Sequence, residues 1–339
     1  KKRNLLYCGN SMPKGGLYES QRACVMAVQF GLAMRNFVGP GETPDVDELL
    51  AYAQRAEELG FESLWVWDHM LLGVEPAFPV LDALSILIAI AARTTRIKLG
   101  TGVLVLPLRN PVVTAKTLTS LDQISKGRLI LGAAAGWYAR EFDAVGVEFK
   151  RRGRIFERNL DLMLRLWTED SVTLQVDNHN LRQAVLLPKP YQSPHPPVLI
   201  GGYVDAVLRR AARMGDGWLT YFYTPEGFAK SWDKVLAYAQ EYGRDPSTLS
   251  STNQLAIYVG PSKEEVDADI RHWLSTEWDV AGWSDSTIEH AICGSPDQCV
   301  EQLQAHVATG VDRLVLIPYR YQPEQVELIA REVLPRLIA

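Results

Sequence analysis

Short apolar runs alternate with amphipathic helical patterns from residue 28 to the end of the chain. Each run is almost continuously apolar, which is typical of parallel strands buried on both faces. The predicted strands lie at 28–34, 61–69, 97–105, 127–137, 197–202, 216–222, 251–260 and 311–319. The predicted helices lie at 44–60, 80–93, 111–126, 151–167, 204–214, 225–243, 262–276, about 285–307 with a break around Gly294-Ser295-Pro296, and 323–338. Eight strand–helix units predict an α/β fold, a (β/α)8 TIM barrel, over residues 26–339.

Two segments stand outside this repeat. Residues 168–196 fit no helix. They contain two strand-like runs separated by a polar turn, which predict a β-hairpin inserted after the fourth strand. Residues 1–25 have no periodicity and lack the continuous apolar region of a signal peptide, so they are interpreted as an N-terminal extension. A doubly wound open sheet is the alternative fold, but no GxGxxG follows the first strand.

The composition argues against several classes of function. Lys plus Arg is 35 and Asp plus Glu is 40, so the formal charge is −5 and nothing indicates a nucleic-acid partner. The four cysteines show no CxxC spacing and no His/Cys cluster, which argues against a zinc site or a disulfide framework and fits the reducing conditions of a cytoplasmic protein. No apolar run approaches the roughly 20 residues of a membrane span, and the run at 83–92 is interpreted as a buried helix.

The third strand interrupts its own pattern with Gly100-Thr101-Gly102. Glycines inside a strand mark a bulge, or the close approach of another backbone or a ligand. Pro107 and Asn110-Pro111 then close the segment. Two interpretations are open at this point: a kinked barrel strand, or a strand that bulges to support a flat ligand.

The C-terminal strand ends, where a TIM barrel places its active site, are rich in aromatic residues and glycines. They carry neither the two facing carboxylates of sugar hydrolases nor the His and Asp cluster of a metallohydrolase. His69 follows the second strand and is the candidate proton donor or acceptor, unless it only caps the loop. Asp68 orients either this histidine or the loop backbone.

Two further strand ends suggest a cofactor site. Gly201-Gly202 precede a helix, and the free N–H groups and the dipole at a helix start can bind phosphate. The alternative is that the two glycines form an ordinary β–α turn. Trp137 and Tyr138 follow Gly136 and are candidates to line a pocket for a planar, largely apolar group.

The order and spacing of these motifs resemble the bacterial luciferase-like superfamily of flavin- or coenzyme F-420-dependent oxidoreductases. The resemblance covers about residues 27–338 and implies a TIM barrel with an insertion after the fourth strand, and a homodimer. The matching segments are AQRAEELGFESLWVWDH (53–69), RTTRIKLGTGVLVLPLRNP (93–111), KTLTSLDQISKGRLILGAAAGWYAREFDAVG (116–146), RRGRIFERNLDLMLRLW (151–167) and PPVLIGGYVDAVLRRAARMGDGW (196–218).

The resemblance also implies the residues of a cofactor site. A non-proline cis peptide in a bulge after the third strand would back the cofactor ring, and it falls on Gly102-Val103. The cofactor phosphate would meet the backbone that follows the fifth strand. His69 is then the catalytic residue, and no metal ligand is implied. The cofactor-binding positions are Asp68, Thr101, Gly102, Val103, Ala135, Gly136, Trp137, Tyr138, Gly201, Gly202, Tyr203 and Val204.

Two cofactors divide this superfamily. The segment GAAAGWYAREF is similar to F-420 members, and Ala135 replaces the phosphate-binding arginine of the luciferases. Trp137 replaces the acid of the F-420 sugar-phosphate dehydrogenases, which disfavours glucose 6-phosphate as the substrate. We therefore expect an enzyme that uses coenzyme F-420 for hydride transfer to or from a small organic substrate. The alternatives are an FMN-dependent two-component monooxygenase served by a flavin reductase, and a non-catalytic flavin-binding barrel.

Overall fold

Eight parallel strands close into a barrel in the computed structural model, which describes residues 28–73, 77–176, 179–276 and 290–337. Each strand pairs with the next one along the chain, and the last pairs with the first. The predicted (β/α)8 barrel is therefore confirmed. The barrel strands are β1 Gln29–Ala33, β2 Ser63–Val66, β3 Lys98–Thr101, β4 Leu129–Ala134, β5 Val198–Gly201, β6 Gly217–Tyr221, β7 Ser250–Val259 and β8 Arg313–Pro318.

Helices cover the outside of this barrel, and their ends are specified locally. Asp45 caps α1 as an acceptor from the N–H groups of Asp47 and Glu48, at 2.9 and 3.1 Å. Ser295 and Gln298 form a capping box at the start of α9. The helices are α1 Val46–Glu58, α2 Ala83–Ala91, α3 Pro111–Ser125, α4 Ala139–Ala144, α5 Arg152–Thr168, α6 Asp205–Met214, α7 Pro225–Glu241, α8 Lys263–Thr276, α9 Pro296–Val307 and α10 Pro323–Leu328.

The core has two layers, one between strands and helices and one inside the barrel. Trp65 fills the barrel interior and is 1% exposed. A Cβ at Gly100 would lie 2.4 Å from its indole ring, so the first glycine of the third strand makes room for this side chain. The packing of Trp65, rather than a ligand, explains glycine at position 100.

The third strand is broken where the glycine pattern predicts a bulge. Strand β3 ends at Thr101, and the Gly102-Val103 peptide that follows is cis, as expected. Leu104–Val105 then resumes the pairing, against the end of β4. The prediction of a continuous strand over 97–105 is therefore wrong, because the strand is interrupted at Gly102-Val103. Support of a flat ligand by this bulge stays a prediction.

Two of the predicted helices differ from the structure. Residues Ile292–Gly294, expected inside a helix at about 285–307, form a short strand that pairs with the end of β7. Residues 285–289 lie outside the described residues. The last helix, expected over 323–338, is regular only to Leu328 and continues as a π-helical turn over Ile329–Val333. Pro335 lies just beyond that turn and lacks the N–H that a continuing helix needs.

The segment between α5 and β5 contains the predicted hairpin as an antiparallel pair, Val172–Val176 with His179–Ala184. Its turn at 177–178 and the N-terminal extension at 1–25 lie outside the described residues. The apolar run at 83–92 forms the buried helix α2, and none of the helices in the described ranges has the length and apolarity of a membrane span.

Candidate active site

A cavity of about 460 Å³ opens at the C-terminal ends of strands β2 to β6. This volume lies within the range of small-molecule and cofactor sites. The cavity brings together most of the residues that the sequence predicts for the site. Those that line it are Asp68, His69, Gly102, Val103, Ala135, Gly136, Trp137, Gly201, Gly202, Tyr203 and Val204.

Thr101 and Tyr138, also predicted as cofactor-binding, do not line the cavity. Thr101 is fully buried, and its hydroxyl donates to the Gly132 carbonyl at 2.7 Å, which ties β3 to β4. The Tyr138 ring packs beside Trp137, with 5.3 Å between ring centres. Each of the two residues therefore contacts the cavity lining or its strands without lining the cavity itself.

One wall of the cavity is the cis Gly102-Val103 peptide. The Gly102 N–H donates to the Val66 carbonyl at 2.8 Å, which fixes the bulge to β2. On the other side, the Val103 side chain packs against the end of β5, where a Cβ at Gly201 would lie 2.6 Å from Val103 Cγ1. Glycine at 201 therefore allows the bulge and the β5 turn to approach each other.

His69 is held by a buried acid that the sequence analysis did not identify. Its Nδ1 lies 3.3 Å from both carboxylate oxygens of Glu141, a residue that is 1% exposed. The same carboxylate accepts from the N–H groups of Met70 and Leu71 at 2.5 and 3.1 Å. Because a carboxylate only accepts, this geometry assigns a proton to Nδ1 and leaves Nε2 of the neutral ring as an acceptor.

Glu141 comes from α4, a helix of six residues that no sequence pattern indicated. A single short turn carries too few residues to show helical periodicity. The sequence did offer one signal for Glu141: it lies four residues after Trp137, and acidic residues are few near the predicted strand ends. The Trp137 ring also meets His69 edge-on, with 6.3 Å between ring centres.

Asp68 borders the cavity, but its carboxylate is engaged elsewhere. It accepts from the Val105 N–H at 2.9 Å and from Arg109 Nη2 at 2.6 Å. Arg109 also donates to Asp82, the N-cap of α2, at 2.7 Å. Burial alone would lower the pKa of Arg109, but the two carboxylates outweigh it and raise the pKa above its ordinary value. Asp68 therefore orients the loop backbone, one of the two roles expected for it.

Three cationic side chains also line the cavity, Lys150, Arg152 and Arg210, and the residues at the start of α6 line it as well. Arg152 donates to the Gly136 carbonyl at 3.0 Å, and Arg210 donates to Glu157 at 2.6 Å. Cationic groups beside a helix N-terminus suit a phosphate. The sequence analysis missed all three, because they come from two helices and the turn before them rather than from strand ends.

The cavity floor beside β6 is aromatic. Tyr221 and Tyr203 meet edge to face, with 5.9 Å between ring centres. Burial raises the pKa of Tyr221, so this phenol is a neutral hydrogen-bond donor at physiological pH. Within the described ranges, no cluster of His, Cys, Asp and Glu has a geometry that would hold a metal ion.

Solved structures share this fold. An F420-dependent secondary alcohol dehydrogenase, in complex with an F420-acetone adduct, superposes with a TM-score of 0.78 at 21% identity, over 92% of this chain and 99% of that chain. The oxygenating constituent of 3,6-diketocamphane monooxygenase from Pseudomonas putida, in complex with FMN, has a TM-score of 0.76 at 18% identity, over 91% and 99%. At these identities the likeness shows the fold alone.

Sequence relatives use both kinds of cofactor. An F420-dependent glucose-6-phosphate dehydrogenase of Amycolatopsis mediterranei is 28% identical over 319 residues, 86% of this chain and 95% of that protein. An FMNH(2)-dependent dimethylsulfone monooxygenase of Pseudomonas putida is 28% identical over 323 residues, 86% and 88%. The family model described as luciferase-like monooxygenase matches residues 26–313. The chain therefore belongs to the luciferase-like monooxygenase family of oxidoreductases.

Proposed function

We propose that this protein uses coenzyme F-420 to transfer a hydride to or from a small organic substrate. The observation that carries the proposal is the His69–Glu141 pair, which holds a proton acceptor at the rim of the cavity bounded by Gly102-Val103. Hydride transfer between a ring and an alcohol or carbonyl compound needs a group that takes or returns one proton, and His69 supplies it.

The residues of the cavity fit a ring with a phosphate-bearing side chain. Gly201 allows the turn after β5 to approach Val103 at the cavity wall, and Gly202 has a φ of +128°, which favours glycine. The N–H groups that follow, with Lys150 and Arg210, suit the phosphate. The Gly102-Val103 peptide offers a flat surface for the ring.

When bound, the deazaflavin would supply a hydride acceptor or donor. In the oxidative direction, His69 Nε2 accepts the substrate hydroxyl proton while the carbon loses its hydride, and a carbonyl product results. Glu141 keeps Nε2 directed at the cavity and stabilises the imidazolium that forms. In the reductive direction, the imidazolium returns the proton to the alkoxide oxygen.

The choice of F-420 over FMN rests on the segment that follows β4. Ala135 lies in the cavity wall, and its methyl group cannot bind a phosphate as the arginine of the luciferases would. Trp137 occupies the position of the acid in the sugar-phosphate branch, so we do not propose glucose 6-phosphate as the substrate, although such a dehydrogenase is among the relatives.

An FMN-dependent two-component monooxygenase is the second candidate. The cationic rim of Lys150 and Arg210 would bind the phosphate of FMN as well as that of F-420. An FMNH(2)-dependent relative is also as similar to this chain as the F420-dependent one. This function would require a flavin reductase as a partner. The homodimer remains a proposal for either function.

Titration of the purified protein with F-420 and with FMN, followed by cofactor fluorescence, separates the two candidates. We expect F-420 to bind in the micromolar range and FMN to bind more weakly. Binding of FMN alone, together with oxygen consumption that depends on added reduced FMN, would establish the second function instead. A protein that binds neither cofactor would contradict both.

A further inference from the structure

Gln254 carries an unpaired carboxamide in the interior of the barrel. The residue lies on β7 and is 0% exposed. Its backbone carbonyl accepts from the Phe222 N–H at 2.8 Å, so the backbone is paired. Among the described residues, however, neither Oε1 nor Nε2 of its side chain has a hydrogen-bond partner. A buried donor and a buried acceptor are therefore both unsatisfied in one side chain.

This carboxamide lies directly against the bulge that forms the cavity wall. A Cβ at Gly102 would lie 3.2 Å from Gln254 Oε1 and 3.3 Å from Nε2. Strands β3 and β7 are four strands apart in either direction around the barrel, so the side chain crosses the barrel interior to reach this place. The absence of a side chain at Gly102 provides the room that the carboxamide occupies.

The surroundings give the amide no structural purpose. Its cross-strand neighbours are Tyr221, which lines the cavity, and Val315, which is fully buried. A methionine has nearly the same length and shape and would bury no unsatisfied group. Buried unsatisfied polar groups are uncommon in folded proteins, and a role in a binding or catalytic site is one explanation for them. For Gln254 the position against the cavity wall favours that explanation.

We propose that Gln254 is a positioning residue for the cofactor ring, through the Gly102-Val103 peptide. This inference rests on the proposed function, in which that peptide is the surface the ring contacts. A peptide offers one N–H and one carbonyl, and the carboxamide offers a matching acceptor and donor. Hydrogen bonds between the two groups, formed when the cofactor loads, fix the peptide from behind. The unsatisfied amide therefore favours the loaded protein over the free one.

The test compares Gln254→Met with Thr119→Val, a matched control. Thr119 also carries a fully buried hydroxyl that has no partner within the described ranges, but it lies on α3 and not in the cavity lining. F-420 and FMN are titrated into each full-length protein, and the thermal midpoint of each cofactor-free protein is measured. We expect Gln254→Met to keep or raise the thermal midpoint, to weaken binding of the preferred cofactor about tenfold or more, and to shift the absorption band of the bound cofactor.

Thr119→Val should bind the cofactor as the wild type does. Equal dissociation constants and equal spectra for Gln254→Met and the wild type would overturn the role of Gln254 alone. A wild-type protein that binds neither cofactor would overturn the proposed function and this inference together. If Gln254→Met fails to fold, Gln254→Leu replaces it, with the same readouts and the same criteria.

Discussion

The carboxylate of Asp68 accepts a hydrogen bond from the Val105 N–H at 2.9 Å. Asp68 directly precedes His69, and Val105 lies two residues beyond the Gly102-Val103 peptide. One buried side chain therefore joins the loop that carries the proposed proton acceptor to the segment that forms the cavity wall. Arg109 completes the connection, because it binds both Asp68 and the N-cap of α2. The distance between His69 and the wall is thus set by the hydrogen bonds of Asp68 to Val105 and Arg109.

We expect Asp68→Ala to destabilise the fold by about 3–5 kcal/mol, because Arg109 would lose its buried partner. Urea unfolding measures this loss. Glu58→Ala is the control, since the Arg55–Glu58 pair is exposed and contributes about 0–1 kcal/mol. If the two variants lost the same free energy of unfolding, the Asp68–Arg109 pair would contribute no more to stability than an exposed ion pair.

Glu141→Gln should slow turnover about 10- to 100-fold and leave cofactor affinity unchanged. The amide can donate to Nδ1, so the imidazole no longer keeps its Nε2 lone pair directed at the cavity, and the imidazolium loses its counter-charge. Steady-state kinetics with the substrate, beside a cofactor titration, separate the two effects. Glu148→Gln, an exposed residue of the same region, is the control. A variant with normal turnover would remove Glu141 from the mechanism.

His69→Ala should lose about 10²- to 10⁴-fold in turnover while the fold and the cofactor affinity persist. His69 is only partly buried, so we expect the fold to tolerate its replacement. Turnover and thermal unfolding are measured on the same preparation. Unchanged turnover in this variant would remove His69 from the mechanism.

Gly201→Ala should weaken cofactor binding and destabilise the protein by about 1–3 kcal/mol. The new Cβ would lie 2.6 Å from Val103 Cγ1 and would push the wall into the cavity. Gly39→Ala serves as the control, because the added Cβ there meets only the exposed Glu42 side chain. Cofactor titration and urea unfolding report the two effects. Wild-type affinity in Gly201→Ala would mean that the wall does not contact the cofactor.

We expect the free energy of unfolding to decrease as the pH is lowered below about 6.5, because of His306. Burial lowers the pKa of His306 to about 4, with Glu226 acting in the opposite direction and His290 adding to the effect. Between pH 6.5 and 4, His306 is therefore protonated in the unfolded chain but neutral in the folded chain. This difference of about 2.5 pKa units corresponds to about 3 kcal/mol, lost progressively as the pH falls and complete below pH 4.

His306→Gln should flatten this part of the stability profile. Urea unfolding of both proteins at pH 7.5, 5.5 and 4.5 gives the difference. Parallel profiles would show that other groups cause the acid sensitivity. Glu62 does not contribute in this window: burial raises its pKa, but pairing with Arg313 outweighs burial and lowers the pKa to about 2, so its stabilisation is lost only between about pH 4.5 and 2.

The sequence predicted the presence and order of the barrel strands more accurately than the residues at which they begin and end. The alternation of apolar runs and helical segments was sufficient for the barrel, and the glycines of the third strand were sufficient for the bulge. Residues Ile292–Gly294 were missed as a strand because three residues are too few to show a period. The short helix α4 was missed for the same reason.

Local pattern determined what local physics controls: the order of strands and helices, the caps at Asp45 and Ser295, and the glycines where the backbone turns. Only the tertiary structure decided which groups meet. Asp68 and Arg109 are 41 residues apart, and His69 and Glu141 are 72 apart. Such pairs depend on strand register and on barrel closure, and periodicity fixes neither. For this reason the sequence identified the surface of the site, while the acids and the buried carboxamide that position it emerged only when the barrel closed.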